Sequence, residues 1–321
     1  ARASATLAHT IAASDEGAPL EVTARARAAD IAAVTATHQT APARDVTGRI
    51  EGGTLLVDSP VGGDRWFTVT FDTPIPDARV IVGPPTEIGT HPAVMRVRNV
   101  SDTGFEVQLQ EWEYLDAFHG GETVSWIAGT AGVHELASGQ RVEFGSFQLE
   151  NATPGTQALT GFDATPAVFV QIASFNGAEA VSDRTLSVSA SAFTAQMQEE
   201  QDRMESSNGD HSRETVHWLA AEPGVRGAVD VQIPGTLSHL GTDVHFDPPA
   251  NDLVLIADAQ TMNGIDPGAL RIARFGGSPR ATSAHLYFEE EMSVDTEQEH
   301  ADETFAVLTM GAGSQPLFAP Q

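Results

Sequence analysis

Carboxylates recur along this chain at positions from which they could hold a cation. Three segments share one pattern: HGGETVSWIA at 119–128, HSRETVHWLA at 211–220 and HADETFAVLT at 300–309. Each reads as a histidine, then Glu-Thr, then an alternating apolar run. The glutamates are Glu122, Glu214 and Glu303, and a second set, Glu111, Glu199 and Glu290, closes the alternating stretch upstream of each. Val107, Leu109 and Glu111 share one face of a strand, as do Glu122, Val124 and Trp126, because side chains alternate with a period of two. If the apolar members face a core, both glutamates of a pair lie at the core-side ends of neighbouring antiparallel strands. Two carboxylates so placed raise each other's pKa unless positive charge sits between them.

Two sources of that charge are open. Calcium wants six to eight oxygen ligands, and the connecting loops add Asp116 in the first segment, Asp202 and Asp210 in the second, and Asp295 in the third. Alternatively Arg96, Arg184 and Arg271, which lie 15, 15 and 19 residues before Glu111, Glu199 and Glu290, form a buried ion cluster, a role that suits the planar guanidinium fork. The two are compatible, since one arginine leaves a carboxylate pair negative. His119, His211 and His300 are expected to fix the loops. Zinc is disfavoured because no copy carries a second histidine at close spacing. Paired glutamates can also hydrolyse glycosides, given carboxyls about 5 to 9 Å apart across an open cleft. Catalytic sites are seldom triplicated in one chain, however, and no nucleophile elbow, P-loop or zinc-protease motif is present. A non-enzyme is expected.

The elements that must position these groups are repeated. Glu122, Glu214 and Glu303 are 92 and then 89 residues apart, and Gly89, Gly177 and Gly264 each stand seven residues before the arginine. Such spacing identifies tandem domains rather than a short solenoid repeat. The boundaries read as an N-terminal extension or stalk at 1–45 and modules at 46–136, 137–224 and 225–321. Within each module the texture is short alternating strands punctuated by Gly, Pro, Asn and Asp, which predicts an all-β chain of three antiparallel β-sandwiches. TAQMQEEQDRMESS at 194–207 has helical propensity, but its alignment with the first copy favours a strand running into a loop.

From Phe71 to Ala128 the first copy resembles the H-type lectin domain of the snail agglutinin and discoidin family. FDTPIPDARVIV, NVSDTGFEVQLQEW and ETVSWIA carry the resemblance, and the other two copies join it through the internal alignment. It implies a six-stranded antiparallel sandwich, assembly as trimers, and recognition of N-acetylgalactosamine-type sugars at their interfaces. It would place Trp112 as the sugar-contacting aromatic and Glu113 as its polar neighbour. The sequence departs from that pattern where Glu200 and Glu291 align with Trp112, and where Pro92 falls near the family's sugar-binding arginine.

The net charge of −27 arises from 44 acidic and 17 basic residues, and all of the basic ones are arginine. That surface repels nucleic-acid phosphates and anionic membranes and attracts cations, and it suits salty surroundings. No stretch is apolar enough to insert in a membrane as a helix. There is no cysteine, which excludes disulfides and thiolate metal sites. The start lacks an initiator methionine and a signal-type apolar region, as expected of a piece of something longer. Together these features predict an extracellular or surface binding and adhesion protein that recognises carbohydrate or a surface glycan. The alternative is a structural subunit of a filament, appendage or viral tail, with homo-oligomeric or filament neighbours.

Overall fold

The structure is a computed structural model, and it describes residues 6–10, 21–25, 44–63, 65–202, 211–226 and 229–321. Two compact units result, 1–43 and 44–321. In the first, Thr6–Thr10 pairs antiparallel with Glu21–Arg25.

The second unit contains the same six-stranded sandwich three times over. In the first copy Val46–Ser59, His119–Thr130 and Ala78–Val82 lie side by side in one sheet, opposite Phe67–Thr70, Gly104–Glu111 and Ala93–Ser101. The second copy sets Arg141–Leu149, Glu214–Ala221 and Ala167–Ile172 against Gly155–Ala158, Ala192–Gln198 and Ser182–Val188. In the third, Val229–Leu237, Glu303–Gly311 and Leu253–Ala259 face Thr242–His245, Ser283–Glu290 and Gly268–Gly276. The order is first–sixth–third strand in one sheet and second–fifth–fourth in the other, and the pairings are antiparallel. The stretch of helical propensity at 194–207 is strand through Gln198, because its alternation buries Phe193, Ala195 and Met197 in one core. Here tertiary packing overrides propensity.

Each sandwich has its own core, and a further core joins all three. Trp126 packs against Phe71 and Phe105 inside the first copy, and Trp218 packs against Phe193 inside the second, so both tryptophans are core residues. The additional core combines Ile50 and Ile127, Phe144 and Phe169, and Val231 and Leu308, drawn from the first, second and third copies respectively. Strands of the first–sixth–third sheets are therefore apolar on both faces. Every residue of Ala167–Ile172 is buried, which explains a near-continuous apolar run where a one-sided sheet would alternate. The chain also closes on itself. Its last strand, Gly313–Phe318, pairs antiparallel with Val46–Ser59 of the first copy, and among the described residues no helix is long and apolar enough to cross a membrane.

Candidate functional site

The fifth strand of each copy ends at or next to one glutamate of the pair, and the sixth begins at or close to the other. These strands belong to opposite sheets of the sandwich, which corrects the expectation that they are neighbours in one sheet. The two carboxylates face each other across the open end of the sandwich, and the histidine of the His-x-x-Glu-Thr motif fills the gap between them. His119 places Nδ1 3.2 Å from Glu111 and Nε2 3.1 Å from Glu122. His211 stands 2.7 Å from Glu199 and 3.2 Å from Glu214. His300 bonds Glu290 through Nδ1 and lies 3.2 Å from Glu303 through Nε2. The histidines are thus the bridge itself, and the position foreseen for calcium within each pair is taken by an imidazole. Each ring thus has a carboxyl group at both of its nitrogens, one from each sheet.

The arginines meet these glutamates in a cyclic order. Arg96 of copy one reaches Glu214 of copy two at 3.5 Å, Arg184 of copy two reaches Glu303 of copy three at 3.0 Å, and Arg271 of copy three reaches Glu122 of copy one at 3.2 Å. The expected ion cluster therefore exists, but each arginine meets the motif glutamate of the following copy and not that of its own. The guanidiniums also donate to main-chain carbonyls there: Arg96 to Gly177, Arg184 to Asp266, and Arg271 to Thr86 and His91. All three arginines are buried, with relative exposures of 0, 2 and 0%.

The inner glutamate is the better anchored of each pair. Glu122 accepts the hydroxyl of Thr86 and the amides of Ile88 and Gly89. Glu214 accepts those of Ser174, Asn176 and Gly177, and Glu303 those of Thr261, Asn263 and Gly264. Burial pushes these carboxyls up, but the bonds from the histidine, the hydroxyl and the amides outweigh it and hold all three below the ordinary glutamate value. Burial also opposes charge on His211, yet Glu199 and Glu214 prevail and raise its pKa. Close approach explains the repeated glycines. A Cβ on Gly89 would lie 2.7 Å from His119 Nε2, and one on Gly177 2.6 Å from His211 Cε1.

The hydroxyl was readable but missed. TEIG at 86–89, SFNG at 174–177 and TMNG at 261–264 form a Ser/Thr-x-x-Gly motif that supplies the hydroxyl and both amides. A second position also went unread, two residues after each glycine. There His91 bonds Glu111 at 3.0 Å, and Glu179 lies close to Glu199 and His211.

The remaining predicted residues are dispersed. Asp116 is exposed and caps the amide of Phe118 at 3.1 Å, with its carboxylate 3.9 Å from His91. Asp202 is exposed, with its amide on Ser293 Oγ. Asp295 is likewise exposed and caps Glu297. Asp210 lies outside the described residues. Trp112 is only 1% exposed and packs with Val94, Ala180 and Ala269, one residue from each copy. Glu113 accepts the amide of Ala180 in copy two. The aromatic face expected to receive a sugar is therefore covered by the neighbouring copies, because the three-copy packing closes over it.

Comparison with known proteins adds one relative. The chain is similar to halomucin of Haloquadratum walsbyi, 28% identical over 229 residues that cover 68% of this chain and 2% of halomucin. The chain thus spans about 2% of that protein's length. No protein-family model and no solved structure matches.

Proposed function

We propose that the chain is a surface-displayed structural unit of a larger extracellular protein, in which three H-type-lectin-like sandwiches are locked into one rigid ring. The observation that carries this reading is the cyclic set of buried arginines, each bonded into the next copy. A flexible string of independent binding modules has no need of such seams. Buried ion pairs are weak devices for stability and better attested for fixing a unique arrangement. Similarity to a short stretch of halomucin, together with the net charge of −27, supports a place outside the cell. At that charge density the surface stays hydrated and resists self-association.

Calorimetric unfolding of the full chain tests the proposal. Coupled seams require residues 44–321 to melt in one transition, with calorimetric and van't Hoff enthalpies in agreement. Three separable transitions, each carrying about a third of the enthalpy, would show that the copies behave as beads on a string.

A further inference from the structure

The outer glutamate is only half used in copies one and two. In copy one Glu111 Oε1 meets both His91 and His119, whereas Oε2 is buried and has no partner. Copy two repeats this, with Oε2 of Glu199 buried and bare. Arginine does not supply the missing interaction. At these two seams the guanidinium goes to the inner glutamate, Arg271 to Glu122 and Arg96 to Glu214, and not to that oxygen. A dehydrated carboxylate oxygen without a donor is costly, and its recurrence at the same place in two copies points to an unfilled ligand position.

At the mouth of copy one stand two further donors. His91 Nδ1 is 3.0 Å from Oε1 of Glu111, the partner oxygen of the bare one, and 3.9 Å from Oδ1 of Asp116. Those separations bracket the roughly 3.3 Å between neighbouring ligands in a tetrahedral site with bonds of about 2.0–2.1 Å. In copy two the ligand atoms of Glu179, Glu199 and His211 all lie within 4.8 Å of one another. His91 and Glu179 occupy the same position of the repeat, two residues after Gly89 and Gly177.

We infer that copies one and two each bind a divalent transition ion of the zinc class, through His91, Glu111 and Asp116 in the first and Glu179, Glu199 and His211 in the second. One nitrogen and two carboxylates, with further positions open to water, suit such an ion. Calcium demands more oxygen and has little use for imidazole. In copy two Glu214 bonds His211 Nε2. A carboxylate on that nitrogen fixes the tautomer that presents Nδ1 to a metal, the outer-shell arrangement common at metal-bound histidines.

The test is calorimetric titration of the chelator-stripped full chain with Zn²⁺ and, separately, Ca²⁺, in buffers of different ionisation enthalpy. Cobalt substitution, read by its visible absorption, reports the coordination directly. Two Zn²⁺ sites are expected. The double variant His91→Ala, Asp116→Asn should lose one of them and Glu179→Gln weaken the other, by about 10- to 100-fold. His91, Asp116 and Glu179 are not fully buried, so circular dichroism of the variants should match the parent. The inference fails if the parent takes up no Zn²⁺, if uptake is undiminished in the variants, or if Ca²⁺ fills the same positions more tightly.

Discussion

The seam between copies two and three and the seam that closes the ring, between copies three and one, share the arginine-to-glutamate contact and differ at the residue beside the arginine. Beside Arg184 stands Gln198, whose Oε1 accepts the guanidinium at 3.2 Å, and Gln110 plays the same part for Arg96 at 3.0 Å. At the closing seam the equivalent residue is Glu289, 2.8 Å from Arg271. At the closing seam the guanidinium thus meets a second carboxylate where the other two meet an amide oxygen. Closure also pairs Gly313–Phe318 with Val46–Ser59, so this seam has backbone bonds to hold it that the extra charge does not supply. The comparison separates two roles that a buried ion can play. The shared set specifies which copy meets which, and Glu289 adjusts one junction without specifying anything further.

The largest effect should follow from breaking the shared set where it is most compact. Arg184→Met removes the guanidinium from Glu303 and from the carbonyl of Asp266, and leaves a buried carboxylate with one cation fewer. Loss of one partner of a buried pair costs about 3–5 kcal/mol, read as a lower denaturation midpoint in urea. The double variant Arg184→Met, Glu303→Gln should cost less than the sum of the single changes, and strict additivity would mean that the two do not interact.

Acid should open all three seams by a smaller step at each. Glu122, Glu214 and Glu303 have folded-state pKa values below their unfolded ones. Their contribution is therefore complete above the unfolded glutamate value and is lost as pH falls through the depressed folded values. His211 runs the other way. Its pKa is raised in the fold, so its contribution is complete below the unfolded histidine value, about 6.5, and fades as pH rises through the folded one. A melting temperature highest in mildly acidic solution and falling on both sides is expected. A His211→Gln variant should lose the fall on the alkaline side that this residue causes.

Much of this was legible in the sequence, and the residues show why the rest was not. His-x-x-Glu-Thr, the paired glutamates, the arginines and the glycine before each could be aligned copy to copy, and alternation around Val107 and Val124 placed the carboxylates at strand ends facing a core. A repeat states what each copy contains, but it cannot state which copy's arginine meets which copy's glutamate. Arg184 therefore read as the partner of Glu199 or Glu214 and proved to belong to Glu303. The same blindness affected Trp112. Its surroundings, Ala180 and Ala269, are about seventy residues away and further, and only the packing of three copies buries it. Two-sided burial of Ala167–Ile172 was present as an uninterrupted apolar run. That run can be read equally as the centre of an isolated sandwich, because periodicity alone does not tell what covers the second face.

The smallest effect, and the one that sharpens the comparison most, concerns Glu289. Burial raises its pKa, with the Arg271 guanidinium opposing. For an acid whose folded value lies above the unfolded one, the fold binds the extra proton, so stability declines as pH rises from the unfolded value toward the folded value. At neutral pH the carboxylate is thus a net cost to the closing seam, despite its ion pair. Glu289→Gln would make that seam resemble the other two: the amide oxygen can still accept from Arg271, as Gln110 and Gln198 do for Arg96 and Arg184, and the charge at this position is removed. The variant should gain up to about 1 kcal/mol at pH 7, since neutral replacements of buried charges are often neutral or stabilising, and the gain should vanish below pH 4. The reverse change, Gln198→Glu, should impose a similar penalty on the seam between copies two and three. If Glu289→Gln instead destabilises the chain by as much as Arg184→Met does, the extra carboxylate is part of the specifying set, and the distinction between the closing seam and the other two disappears.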